Sequence, residues 1–168
     1  NPTAISGIVV GYGMSEKSGK THENVPKMIE LPIHTQQDCF LKNSELVKIS
    51  SNRTFCAGEG NGSGVCKGDS GSGLIIRVRN VFYLLGIVSS SLIHEGMCDV
   101  HNAAVFTNVL HFKDWMTSKG IILSSFHNSD VCGVMSASTG LIQGGEYSTR
   151  REFPWIASII IKDEGFNS

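Results

Sequence analysis

The sequence predicts an all-β protein, and three observations carry that expectation. First, charged residues are scarce at 17% and glycines number 19 in 168, the balance of a turn-rich sheet protein rather than a helical one. Second, the apolar residues fall in short, β-branched runs divided by turn-forming residues: IVV (8–10), MIELPI (28–33), LIIRV (74–78), FYLLGIV (82–88) and AAVFTNV (103–109). Third, helical spacing occurs in one late stretch, where Val109, Phe112, Trp115 and Met116 recur before Gly120. That stripe is expected to pack a closing helix onto the core. The polar SEKSGKTHEN (15–24) reads as a hairpin tip and SSFHNSD (124–130) as a linker.

Within this pattern the run VCKGDSGSGL (65–74) carries chemistry. A serine hydroxyl attacks a carbonyl only when a base takes its proton and donors hold the oxyanion that forms. Glycines around Ser70 let the chain turn tightly enough for the N–H groups of Gly68 and Ser70 to face one oxygen. A Gly/Ser-rich surface loop is the plain alternative. Flanking cysteines and the strand-like LIIRV directly after Ser72-Gly73 argue against it.

Further runs stand in order around this one: GIVVGYG (7–13), Asp38-Cys39, Phe55-Cys56-Ala57-Gly58, GIVSSS (86–91) and VFTNVLHFKDWM (105–116). Together with Gly-Asp-Ser-Gly they resemble the chymotrypsin-like serine proteases, over about three-quarters of the chain. Tyr12 stands where that family has a tryptophan, Ser90 where it has an aromatic residue, and Ser72-Gly73 where it has glycine and proline. The resemblance implies the C-terminal antiparallel six-stranded barrel of the fold, with a short helix after it. It makes Ser70 the catalytic nucleophile, with Gly68 and Ser70 as the oxyanion hole. Asp69 becomes the partner of a newly cleaved N-terminus, whereas its plain alternative is a turn-forming Asp. Gly64 falls at the base of the specificity pocket and Ser91 and Ala104 on its walls, which implies a narrow, uncharged pocket for a small or medium apolar side chain. Glu95 is not expected to restore a preference for basic side chains. Ser89 and Ser91 would pair with substrate backbone as an added strand. The disulfides implied are Cys39–Cys56 and Cys66–Cys98, with Cys132 left over.

The family's base histidine and orienting aspartate precede the equivalent of GIVVGYG. The histidines here are His22, His34, His94, His101, His111 and His127, and none lies in an Ala-Ala-His-Cys setting. His34 and His111 read as ordinary surface residues. The expectation is therefore that the missing N-terminal barrel of the same domain is a partner, and that this chain alone is inactive.

Beyond the linker, Cys132-Gly133, Ile142-Gln143-Gly144-Gly145 and Phe153-Pro154-Trp155 resemble the opening of a second protease domain. The organisation expected is a C-terminal barrel over 1–122, a linker over 123–140 and a truncated second domain over 141–168, an arrangement similar to insect proteins with tandem protease domains. A plain C-terminal extension is the alternative. Leu141, not Arg or Lys, precedes Ile142, so trypsin-like activation is not expected there.

A formal net charge of −1 gives no basic stripe for nucleic acid. No apolar run reaches the roughly 18 residues of a membrane span, and NPTAISGIVV has no secretory signal pattern; since the family it resembles is secreted, the true N-terminus is expected further upstream. Five cysteines without a Cys-x-x-Cys pair favour disulfides over zinc; no metal and no cofactor are expected. Two sequons, Asn52-Arg53-Thr54 and Asn61-Gly62-Ser63, point to the same extracellular setting. The leading expectation is a secreted serine endopeptidase acting on peptide or protein substrates. The alternative is a non-catalytic protease homologue that binds or regulates.

Overall fold

The computed structural model describes residues 5–14, 25–78 and 81–121. Its elements run β1 (Ser6–Gly11), β2 (Lys27–His34), α1 (Gln36–Lys42), a 3-10 turn (Ser44–Ile49), β3 (Thr54–Ala57), β4 (Gly73–Val78), β5 (Val81–Ser90), β6 (Ile93–His94), β7 (Met97–Cys98), β8 (Ala104–Asn108), a second 3-10 turn (Val109–Phe112) and α2 (Lys113–Ser118). Six strands close into an antiparallel barrel in the order β1-β2-β3-β8-β5-β4, while β6 and β7 form a separate hairpin. The described residues are mostly sheet, with α1 between β2 and β3 and the short α2 after the last barrel strand.

Successive residues of a strand point to opposite faces, and the barrel uses both. In β8, Ala104 and Phe106 turn inward to Val9, Leu31, Val65, Leu74 and Val88. Val105, between them, joins Cys39, Leu46, Cys56 and Ala103 in a second cluster under α1. In β1, Val9 enters the barrel while Ile8 and Val10 meet Ile75, Met28 and Phe82 outside it. Coverage on both faces explains why IVV reads as a continuous apolar run. Phe106, fully buried, stacks on Phe55 with ring centroids 5.5 Å apart; burying such a ring contributes about 1.5–3 kcal/mol.

Short helices fill the β2–β3 connection. Thr35 caps α1, its Oγ1 accepting the Asp38 N–H at 3.1 Å, and Asn43 caps the following 3-10 turn, its Oδ1 accepting the Glu45 N–H at 2.9 Å. Cys39, on α1, is bonded to Cys56 on β3, their Cα atoms 6.5 Å apart.

Two details differ from the sequence expectations. His34 is half-buried in β2, with its Nε2 2.9 Å from the Gly58 carbonyl, so it is a structural residue and not a surface one. The stripe of α2 does not pack as core: Trp115 is 58% exposed and no residue of Val109–Ser118 is buried. A helix of six residues spans under two turns, and no described element covers its outer side. Residues 15–24 and everything from 122 onward, including Cys132, Leu141 and Ile142, lie outside the described residues.

Candidate active site

Ser70 stands in a tight turn between Cys66 and β4. The Asp69 N–H donates to the Cys66 carbonyl and the Ser72 N–H to the Asp69 carbonyl, both at 3.0 Å. The turn is fastened to β5 on its other side: the Gly71 N–H donates to the Val88 carbonyl and the Val88 N–H to the Ser72 carbonyl, both at 2.9 Å. Cys66 is bonded to Cys98 on β7, with Cα atoms 5.5 Å apart, which ties the turn to the β6–β7 hairpin. Lys67 adds a bond from Nζ to the Gly96 carbonyl at 3.0 Å.

Asp69 is the buried anchor of this turn, 1% exposed and the one charged residue in the described core. Its Oδ1 accepts the Gly13 N–H at 2.8 Å and its Oδ2 the Cys66 N–H at 3.0 Å. A buried carboxylate needs such donors, and Gly13 can supply one because it has no side chain. A Cβ at Gly13 would overlap the carboxylate. The Gly11-Tyr12-Gly13 run at the end of β1 is thus the cradle for Asp69, and the Met14 N–H closes it by donating to the Lys67 carbonyl at 2.9 Å.

Two donors are left over. Among the described residues, neither the Gly68 N–H nor the Ser70 N–H finds an acceptor, while the Asp69, Gly71 and Ser72 N–H groups are bonded. Gly68 and Ser70 are both exposed, and Gly68 has φ +94°, a backbone setting that favours glycine. Two amides without acceptors, in and beside an exposed serine, are donors of the kind that can hold an anionic oxygen. None of the described histidines (His34, His94, His101 and His111) bonds the Ser70 hydroxyl.

Beside this turn lies a small hollow lined by Gly64, Ser91 and Ala104. Its lining also includes Ser63, Asp99, Val100 and Asn102, which sequence reasoning did not single out. Val100 is 4% exposed, and a Cβ on Gly64 would lie 3.4 Å from its Cγ1, so an apolar side chain backs the glycine. Asp99 brings a carboxylate to a lining that was read as uncharged. Both its oxygens are engaged: Oδ1 accepts the His101 N–H at 3.0 Å and Oδ2 the Asn102 amide at 2.7 Å. Asn102 is held in turn by the Asn43 amide, which donates to its Oδ1 at 2.9 Å. A polar 99–102 turn has no periodic signal, so only its position one residue after Cys98 could have drawn notice.

The edge beside the hollow is irregular. Val88 pairs with Phe106 and Ser90 with Val105, so Ser89 is the extra residue of a β-bulge, and it is exposed. A bulge next to a site re-aims side chains and interrupts pairing. Ser91 follows the end of β5. Among the described residues, no group of three or more His, Cys, Asp or Glu is placed to hold a metal ion.

The chain is similar to proteins of known kind. Residues 2–116 match the family model described as Trypsin. Serine protease gd of Drosophila melanogaster is 32% identical over 143 residues, covering 67% of this chain and 27% of that protein. CLIP domain-containing serine protease B15 of Anopheles gambiae is 33% identical over 109 residues, covering 64% and 29%. Vitamin K-dependent protein C of Oryctolagus cuniculus is 31% identical over 116 residues, covering 66% and 24%. The chain spans less than a third of the length of each of these relatives.

Proposed function

The chain belongs to the trypsin family, and on that premise we propose that Ser70 is the nucleophile of a secreted serine endopeptidase acting on peptide or protein substrates. The observation that carries the reading is the pair of free N–H groups, Gly68 and Ser70, beside an exposed hydroxyl. In this mechanism the Ser70 Oγ bonds to the scissile carbonyl carbon while a base takes its proton. The carbonyl oxygen gains the charge and is held by the two amides. Collapse expels the amine, which receives that proton, and water then cleaves the acyl-serine.

Asp69 positions these donors. Its carboxylate, held from Gly13 and Cys66, keeps the 66–72 turn in one shape. In the activated protein a cleaved N-terminal ammonium joins it. The base histidine and its aspartate come from a preceding barrel of the same domain, so the chain of 168 residues alone turns over no substrate. Losing such partners costs factors on the order of a million. Two disulfides support an extracellular setting.

The hollow at Gly64 takes a short side chain, because Val100 backs it and Ser91 and Ala104 carry Cβ atoms into its walls. Ser89 and Ser91 present the edge on which substrate backbone lies. The test is labelling of the complete, activated protein by a phosphonate that reacts with activated serines. Labelling and peptide turnover should both vanish in Ser70→Ala with folding unchanged. Turnover that survives Ser70→Ala would overturn the assignment.

A further inference from the structure

Two Asn-x-Ser/Thr triplets, Asn52-Arg53-Thr54 and Asn61-Gly62-Ser63, have no part in the chemistry above. Such a triplet carries a glycan when the chain passes through the secretory route and the finished fold leaves the asparagine in water. Both conditions have a physical imprint here. Two disulfides mark an oxidising compartment, and Asn52 and Asn61 are both exposed outside the strands. Thr54 folds the first site on itself, its hydroxyl donating to the Ser51 carbonyl at 2.8 Å and accepting the Ser51 N–H at 2.9 Å. In the second, Asn61 Oδ1 accepts the Ser63 N–H at 3.2 Å. Asn61 Nδ2 has one exposed contact, to Glu59 Oε2 at 3.3 Å, which a sugar can replace at small cost.

The setting of Asn61 gives the modification a purpose. It lies in GEGNGSG (58–64), a polar stretch with four glycines that supplies Gly58, Ser63 and Gly64 to the hollow. The stretch is held from behind by the Gly62 N–H donating to the Val100 carbonyl at 3.3 Å. Exposed loops of small polar residues are preferred sites of proteolytic nicking, and a cut here would open the pocket wall.

We propose that Asn52 and Asn61 carry N-linked glycans, and that the glycan at Asn61 shields the 58–64 loop from cleavage. In the transfer, each amide nitrogen bonds to the anomeric carbon of a lipid-linked oligosaccharide diphosphate. The anomeric C–O bond breaks, the lipid diphosphate leaves with the electron pair, and the amide proton passes to a base.

The experiment secretes the complete protein from a eukaryotic host and treats it with the amidase that releases N-glycans and leaves aspartate behind. Peptide mass spectrometry should find aspartate at 52 and 61 in the secreted protein and asparagine at both in a cytosolic control. Asn61→Gln and Ser63→Ala should each lose one glycan, and Asn61→Gln should be nicked within 58–64 several-fold faster by an added protease. Secreted protein with unmodified Asn61, or equal nicking of the variant, would overturn the proposal; unmodified Asn52 would remove that site from it. Asn61→Gln should keep its turnover of a short peptide ester, so loss of Ser70 chemistry would be read separately from loss of the glycan.

Discussion

The turn around Ser70 and the closing helix are both short and both lie at the barrel surface, yet they are held in opposite ways. Between Cys66 and Ser72 a disulfide, a buried carboxylate and bonds to β5 constrain a few residues from several directions. Between Val109 and Ser118 the chain keeps its own helical bonds and no residue is fully buried, Val109, Phe112 and Met116 being half-buried. The turn is over-determined, which is what allows it to hold two N–H groups without acceptors. The helix is determined locally and tolerates change.

The largest break in that contrast is Asp69→Ala, which strands the Gly13 and Cys66 donors in a buried site. At about 1–3 kcal/mol for each orphaned donor, the loss should reach about 2–6 kcal/mol in chemical denaturation. A loss below about 1 kcal/mol would show that the carboxylate does not organise the turn. Replacing Cys66 and Cys98 together by alanine reopens a loop closed over a sequence separation of 32 and should cost about 3–4 kcal/mol. The Cys39/Cys56 pair, with a separation of 17, should cost slightly less, about 3 kcal/mol. The reverse order would point to strain or residual structure in place of chain entropy. Gly13→Ala pushes a methyl group into the Asp69 carboxylate and should cost about 1–3 kcal/mol, with faster amide exchange across 66–72 as its signature. Trp115→Ala, on the helix, should change stability by less than about 1 kcal/mol because most of the ring already meets water. A larger loss would mean that the helix is anchored as firmly as the turn.

A second way to sharpen the comparison concerns the hollow beside the turn. If the proposed activity holds, widening it with Ser91→Gly and Ala104→Gly in the complete, activated protein should shift kcat/KM toward larger side chains, by roughly tenfold for each methylene admitted. No shift would separate these walls from substrate selection.

Much of the barrel was legible because its strands are β-branched runs buried on both faces, as in β1 and β8. The strand Thr54–Ala57 was not picked out by pattern, since four residues hold too little alternation. The helix Gln36–Lys42 was also missed, although Thr35 and Asp38 form a capping signal at its start. At the site, the residues around Ser70 stood out by composition, and the resemblance paired the cysteines that the structure bonds. The bond between Gly13 and Asp69 crosses 56 residues, and the wall of Asp99, Val100 and Asn102 is a polar turn. Neither leaves a periodic trace. The stripe on the closing helix misled because helical spacing reports an apolar face without reporting what covers it.

The bond from Asn43 to Asn102 joins positions 59 apart, and through Asp99 it reaches the hollow from the cap of a 3-10 turn. On the function proposed above, selectivity can therefore drift by changes at Asn43, which does not line the hollow. Relatives that diverge at position 43 should show compensating change at 102, and a double-mutant cycle on the two amides should be non-additive. On that same proposal, the connection between β2 and β3 is a second place where preferences can accumulate while Ser70 and its turn stay fixed.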